Sequence, residues 1–294
     1  MNYRITHVTQ YIYHGKVSVC HNETRLTPRG LPGQICSNSI LSVDPWPRIM
    51  AERSDFFGNI VHYFSIENPQ ELKVTAVSNV SRMQENYQLG IPETLSWEGA
   101  REELRKNPVP YAEERQYLFE SPLLRSSEEI ESYALRSFIT GRPVFEAVHD
   151  LMGRIYKDFD FVPGFTNVST PISAVLKGRK GVCQDFAQLG IACLRAMGLP
   201  ARYVSGYIET VPPPGTERLK GADASHAWFS VYIPHTGWLD FDPTNNQMIN
   251  AKYITIAYGR DYSDVVPLKG VIFSSGGHEL NISVDVLNLD TISY

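Results

Sequence analysis

The string Gly181-Val182-Cys183-Gln184-Asp185-Phe186-Ala187 opens an apolar helical pattern that continues through Leu189, Ile191, Leu194 and Met197 until Gly198-Leu199-Pro200 stops it. Strand-like runs follow at Ala201 to Ile208, Ala227 to Ile233 and Trp238 to Asp242, the last two joined by the turn Pro234-His235-Thr236-Gly237. A helix followed by β-rich runs makes this half of the chain an α+β module. Cys183 stands at the helix start, and Ser225-His226-Ala227-Trp228 and Phe241-Asp242-Pro243-Thr244 lie on the runs that follow. A thiol at a helix N-terminus, then a histidine, then an aspartate, is the set of parts needed for a cysteine nucleophile with its base and orienter.

Composition narrows the classes further. The chain has 294 residues, enough for one large domain or two smaller ones, and a formal net charge of -5. That balance speaks against a nucleic-acid partner, which calls for a basic surface. Met1 to His7 lacks the apolar core of a signal peptide, and no window reaches the ~20 apolar residues of a membrane span. The expectation is a cytoplasmic protein with no membrane partner. Four scattered cysteines, Cys20, Cys36, Cys183 and Cys193, form neither a disulfide framework nor a CxxC zinc pair.

The first part of the chain reads as β structure. Tyr3, Ile5, His7 and Thr9 alternate with Arg4, Thr6 and Val8, Ile60 to Ile66 is β-branched and aromatic, and Leu72 to Val77 alternates again. Turns at Pro28-Arg29-Gly30, Pro32-Gly33, Asp44-Pro45-Trp46-Pro47 and Phe57-Gly58-Asn59 separate short strands, as in a sandwich or half-barrel. Residues 97 to 125 carry charges and prolines without a clear period and read as a connection. Ser126-Ser127-Glu128-Glu129 resembles a capping box for a helix running to about Thr140, and Val144, Ala147, Val148, Leu151, Met152 and Ile155 mark an amphipathic helix. The expected division is therefore a β domain over 1–84, a connecting segment with a helix over 85–140, and a core over 141–294.

A thiol is mostly protonated at neutral pH, and the thiolate is the nucleophile. The dipole and free N–H groups of a helix N-terminus favour negative charge on sulfur, and a neighbouring imidazole can take the proton. His226 is the candidate base and Asp242 its orienter. Strand alternation tests whether they can meet. If Ile233 paired with Trp238, Asp242 would share its face with Phe229. If Tyr232 pairs with Trp238, Asp242 lies opposite Trp228 and diagonal to His226, about 7–8 Å away between Cα atoms and within side-chain reach. The second register is the expected one. Cys193, well around the helix from Cys183, reads as packing, and Asp240 is a rival to Asp242 on the same strand face.

The cysteine string, with Ala192 to Tyr207, Ser225-His226-Ala227-Trp228 and Gly237 to Asn245, resembles the core signature of the bacterial transglutaminase-like superfamily. Gly259 to Pro267 is similar to a block that follows the core in two-domain bacterial members. His7-x-Thr9-x-Tyr11-x-Tyr13, Arg25 to Arg29 and Asp55 to Asn59 resemble their N-terminal domain. The resemblance implies a papain-like fold with the cysteine helix packed on an antiparallel sheet. It also implies Cys183 as nucleophile, His226 as base and, in preference to Asp240, Asp242 as third member.

Such a site attacks an amide carbonyl and passes a thioester to an acceptor. Water is the commoner acceptor, so the expected activity is that of a cysteine peptidase or amidase on a peptide or protein substrate. Crosslinking to a lysine amine is the alternative, and a non-catalytic peptide-binding module is a third. No EF-hand-like loop is present, and no cofactor or metal is expected. The backbone N–H of Cys183 is the expected oxyanion donor.

Overall fold

A computed structural model describes residues 1–83, 94–210 and 225–291. Its first strands are β1 (Asn2–Tyr13), β2 (Val17–Thr24), β3 (Gln34–Asp44), β4 (Ile49–Ser54), β5 (Ile60–Glu67) and β6 (Glu71–Arg82). Helices α1 (Trp97–Lys106), α2 (Ala112–Arg115), α3 (Glu128–Leu135) and α4 (Val144–Asp158) follow, then β7 (Asp160–Phe161), α5 (Ile172–Gly178), β8 (Lys180–Gly181) and α6 (Cys183–Ala196). The chain continues through β9 (Ala201–Ile208), β10 (Ser225–Ile233), β11 (Gly237–Asp242), β12 (Gln247–Met248), β13 (Tyr253–Gly259), β14 (Leu268–Ser274) and β15 (His278–Asn288). The fold is α+β, as expected.

Two four-stranded antiparallel sheets, β15-β1-β6-β3 and β14-β2-β5-β4, form the N-terminal sandwich. Strand alternation builds it: on β6, Leu72, Val74 and Ala76 face Phe64 and Ile66 of β5 in one apolar cluster. At twelve residues each, β1 and β6 are roughly 40 Å long, more than the opposing sheet covers. Their far ends, Tyr3, Ile5 and Val80, instead join the large apolar core of the helical half.

This arrangement departs from the expected division. Both sheets of the sandwich take an edge strand, β14 or β15, from the C-terminal part of the expected core over 141–294. Pairing supplies the reason: β15 satisfies the free edge of β1 along eleven residues, from Tyr3↔Asn288 to Tyr13↔His278. The segment 85–140 also differs from a mere connection with one helix. Its residues 85–93 lie outside those described, but α1, α2 and α3 occupy much of the rest. Ser96 caps α1 by accepting from the Gly99 N–H at 3.1 Å, and Trp97, Ala100 and Leu104 bury one narrow stripe. Trp97, Ala100 and Leu104 fall at i, i+3 and i+7, a helical stripe that the reading of 97 to 125 as a connection overlooks. The helix α3 stops at Leu135, sooner than Thr140, with Ser127 accepting from the Ile130 N–H.

The core sheet runs β12-β11-β10-β9-β13, antiparallel throughout. Helix α6 lies on it as the papain-like arrangement implies, with α3, α4 and α5 around it. Close approach is possible because position 190 is glycine: a Cβ there would come within 2.6 Å of the Phe229 ring on β10. Among the described residues no helix is long and apolar enough to cross a membrane.

Candidate active site

Cys183 is the first residue of α6, so its backbone N–H belongs to the helix turn that has no intrahelical acceptor. Asp185 holds that turn in place. Its fully buried carboxylate accepts from the Val182 N–H at 2.8 Å and from the Thr166 hydroxyl at 2.5 Å. Gly181 leaves room for this carboxylate, since a Cβ at 181 would meet it at 2.8 Å. Burial pushes the Asp185 carboxyl pKa up despite both donors. Cys183 itself is half-buried and open to reagents, whereas Cys193 is sealed in the core with its thiol pushed up to about 12 by burial. All four cysteines are free.

His226 and Asp242 reach each other through the second of the two registers weighed above. Tyr232 pairs with Trp238 and Phe229 with Phe241, which carries Asp242 to the place opposite Trp228. The imidazole Nε2 and Asp242 Oδ2 are 2.8 Å apart. Burial disfavours the imidazolium, but hydrogen bonds to Asp242 and to Cys183 outweigh it and push the His226 pKa up to about 10. With Nε2 engaged by Asp242, Nδ1 is the nitrogen left for the sulfur. The structure thus brings Cys183, His226 and Asp242 together.

Asp242 sits in a cage of donors that sequence reading did not find. Oδ1 accepts from the Thr244 N–H at 2.9 Å, and Oδ2 accepts from the Asn245 amide at 2.6 Å and the Tyr253 hydroxyl at 2.7 Å. Gln247 in turn donates to the Tyr253 oxygen at 2.6 Å. Burial alone would raise the Asp242 pKa; its bonds to His226, Tyr253 and Asn245 hold it below the usual carboxylate range. Thr244 and Asn245 lie two and three residues after Asp242, so the local turn foreshadowed them. Tyr253 lies on β13 at the far edge of the sheet and has no local signal. The rival Asp240 is occupied elsewhere, accepting from the Trp228 indole N–H at 3.2 Å. Among the described residues no group of three His, Cys, Asp or Glu side chains is arranged to hold a metal.

Comparison with known proteins follows the same lines. Family models match residues 3–81, the bacterial transglutaminase-like N-terminal region, and residues 134–243, the transglutaminase-like superfamily. An uncharacterised protein of Mycobacterium tuberculosis is 40% identical over 293 residues, covering 97% of this chain and 92% of its own. The chain belongs to the transglutaminase-like superfamily. A second relative, an uncharacterised protein of Mycobacterium leprae, is 31% identical over 292 residues, or 97% of this chain and 98% of its own. The crystal structure of a candidate cysteine protease from Cytophaga hutchinsonii shares the fold, with a TM-score of 0.75 and 24% identity over 100% of this chain and 92% of that one. The transglutaminase-like superfamily is one of cysteine-based acyl transfer, and cysteine-dependent enzymatic activity is the class this chain falls in.

Proposed function

We propose that the protein is a cysteine peptidase or amidase that uses Cys183 as nucleophile, His226 as general base and acid, and Asp242 as orienter. The observation that supports this reading most directly is the 2.8 Å bond from His226 to a buried Asp242, with the Cys183 thiol at the first residue of α6 helping to raise the pKa of the same imidazole. The Cys183 sulfur attacks an amide carbon, a C–S bond forms, and the backbone N–H of Cys183 stabilises the oxyanion. The C–N bond then breaks as His226 hands its proton to the leaving amine. Water attacks the thioester, His226 accepts its proton, and C–S cleavage restores the thiol. Asp242 keeps one imidazole tautomer and stabilises the imidazolium throughout.

The substrate is a peptide or protein, and the compartment we propose is the cytoplasm, consistent with four unpaired cysteines. Turnover of an amide-linked peptide library by the wild-type protein, with none by Cys183→Ala, is the expected result. Undiminished turnover in the variant overturns the assignment. Incorporation of a labelled primary amine in place of hydrolysis would transfer the same residues to crosslinking chemistry.

A further inference from the structure

A cleft of about 950 Å³ opens between the N-terminal sandwich and the face of the core sheet that carries His226 and Asp242. Phe57 lines it from the sandwich side, Glu113 and Glu114 from α2, and Arg202, Trp238 and Tyr258 from the sheet. Its volume is at the upper end of what small-ligand sites use and suits a short peptide segment.

Arg202 is the unusual member. Its guanidinium carbon lies 4.0 Å from the Trp238 ring centre and 3.8 Å from the Tyr258 ring centre, so the plane is clamped by two aromatic faces. Arg29 lies 3.9 Å from the Tyr258 ring centre as well, but spends its Nη donors on Asn59 and the Tyr258 hydroxyl. Arg82, also in the cleft wall, donates to the carbonyls of Gly33 and Asn250. Arg202 has no hydrogen-bond or ion-pair partner among the described residues, and its Nε is buried and unbonded. Asp240 is two strands away in register, Arg202↔Ser230↔Asp240, yet forms no ion pair with it. Between them the hydroxyl of Ser230 is buried without a partner.

A guanidinium fork fixed in orientation by stacking, and directly paired with none of the cleft's own carboxylates Glu113, Glu114 and Asp240, matches the bidentate geometry of a carboxylate. Because the rings already hold the side chain, little rotamer freedom is lost on binding. We infer that this cleft is a binding site for a carboxylate group, which seats on Arg202, and that the carboxylate belongs to an acidic residue of a peptide substrate. The inference rests on the peptide-directed reading above. The cleft shares the sheet face of His226 and Asp242, opposite the face on which α6 packs, with the buried Trp228 between them: its indole donates to Asp240 and its ring centre is 6.2 Å from that of His226.

The test uses the full-length protein carrying Cys183→Ala, so that binding is read without turnover. Two blocked tetrapeptides, Gly-Glu-Glu-Gly and Gly-Gln-Gln-Gly, are titrated calorimetrically, alongside glutarate. The acidic peptide is expected to bind roughly tenfold or more tighter than its amide twin. Arg202→Gln should erase the preference and Arg202→Lys keep part of it. Equal binding of the two peptides, a requirement that needs no variant at position 202, overturns the site, as does a preference that survives Arg202→Gln. Glutarate binding as tightly as the acidic peptide would uphold the carboxylate site and overturn its assignment to a peptide. Absence of turnover in the wild-type protein bears on the hydrolase reading alone.

Discussion

The Asp242 carboxylate accepts from three side chains at one oxygen, and the one that matters for proton transfer is His226 at 2.8 Å. The two residues sit on adjacent antiparallel strands, diagonal across the 232–238 register. Neither is free to move, because Asp242 is fully buried and its second oxygen is held by the backbone of Thr244. Their coupling has consequences for pH that can be measured.

The folded-state pKa of His226 is raised to about 10, so its contribution to stability is full below its ordinary value near 6.5 and fades as pH rises through about 10. Asp242 is lowered, so its contribution is present above its ordinary value of 3.8 and is lost as pH falls through the folded-state value. The stability advantage of wild type over Asp242→Asn is therefore expected to be greatest between about pH 4 and 6.5 and to shrink toward pH 10. Denaturant unfolding across that range checks it. Turnover in Asp242→Asn should fall roughly 10²–10⁴-fold.

Tyr253 is expected to be a positioning residue. Tyr253→Phe removes a donor from Asp242 and costs about 1–2 kcal/mol of stability. With one stabilising bond gone, the Asp242 pKa rises, and the acid limb of the activity profile should move to higher pH. A pH–rate profile unchanged from wild type would show the hydroxyl to be merely structural.

Iodoacetamide should label Cys183 rapidly in the folded protein and leave Cys193 untouched, since the first is half-buried at a helix start and the second is fully enclosed. Peptide mapping after brief labelling reads both. Cys193→Ala should keep turnover while losing about 1 kcal/mol of stability through the small void it leaves.

Gly190→Ala is expected to push α6 away from β10, because the added methyl would meet the Phe229 ring at 2.6 Å. Overpacking of this kind costs about 1–3 kcal/mol. Since Cys183 rides on α6 and His226 on β10, turnover should fall more than stability predicts, and Gly190→Ala with Phe229→Leu should recover part of both.

Asp185→Ala should loosen the first turn of α6 by removing the acceptor of the Val182 N–H and the Thr166 hydroxyl, at a cost of about 1–2 kcal/mol. Asp185→Asn, which retains one acceptor oxygen, should lose less. Thermal unfolding of the two variants separates them.

Much of this molecule was legible in its sequence because the signals are local. Helical spacing and a glycine stop marked α6, and Cys183 at its start followed from that. Alternation and the turn at Pro234-His235-Thr236-Gly237 narrowed the pairing of β10 and β11 to two registers, one of which brings Asp242 to His226. What only the tertiary structure decided is non-local. The return of β14 and β15 to the N-terminal sheets joins residues more than 240 positions apart, and no short window carries a period that reports a partner strand. The Tyr253 hydroxyl at Asp242, the fit of Gly190 to Phe229, and the clamp of Trp238 and Tyr258 on Arg202 arise in the same way. Each depends on where two surfaces meet after packing, a matter of shape and distance that residue order along the chain does not encode locally.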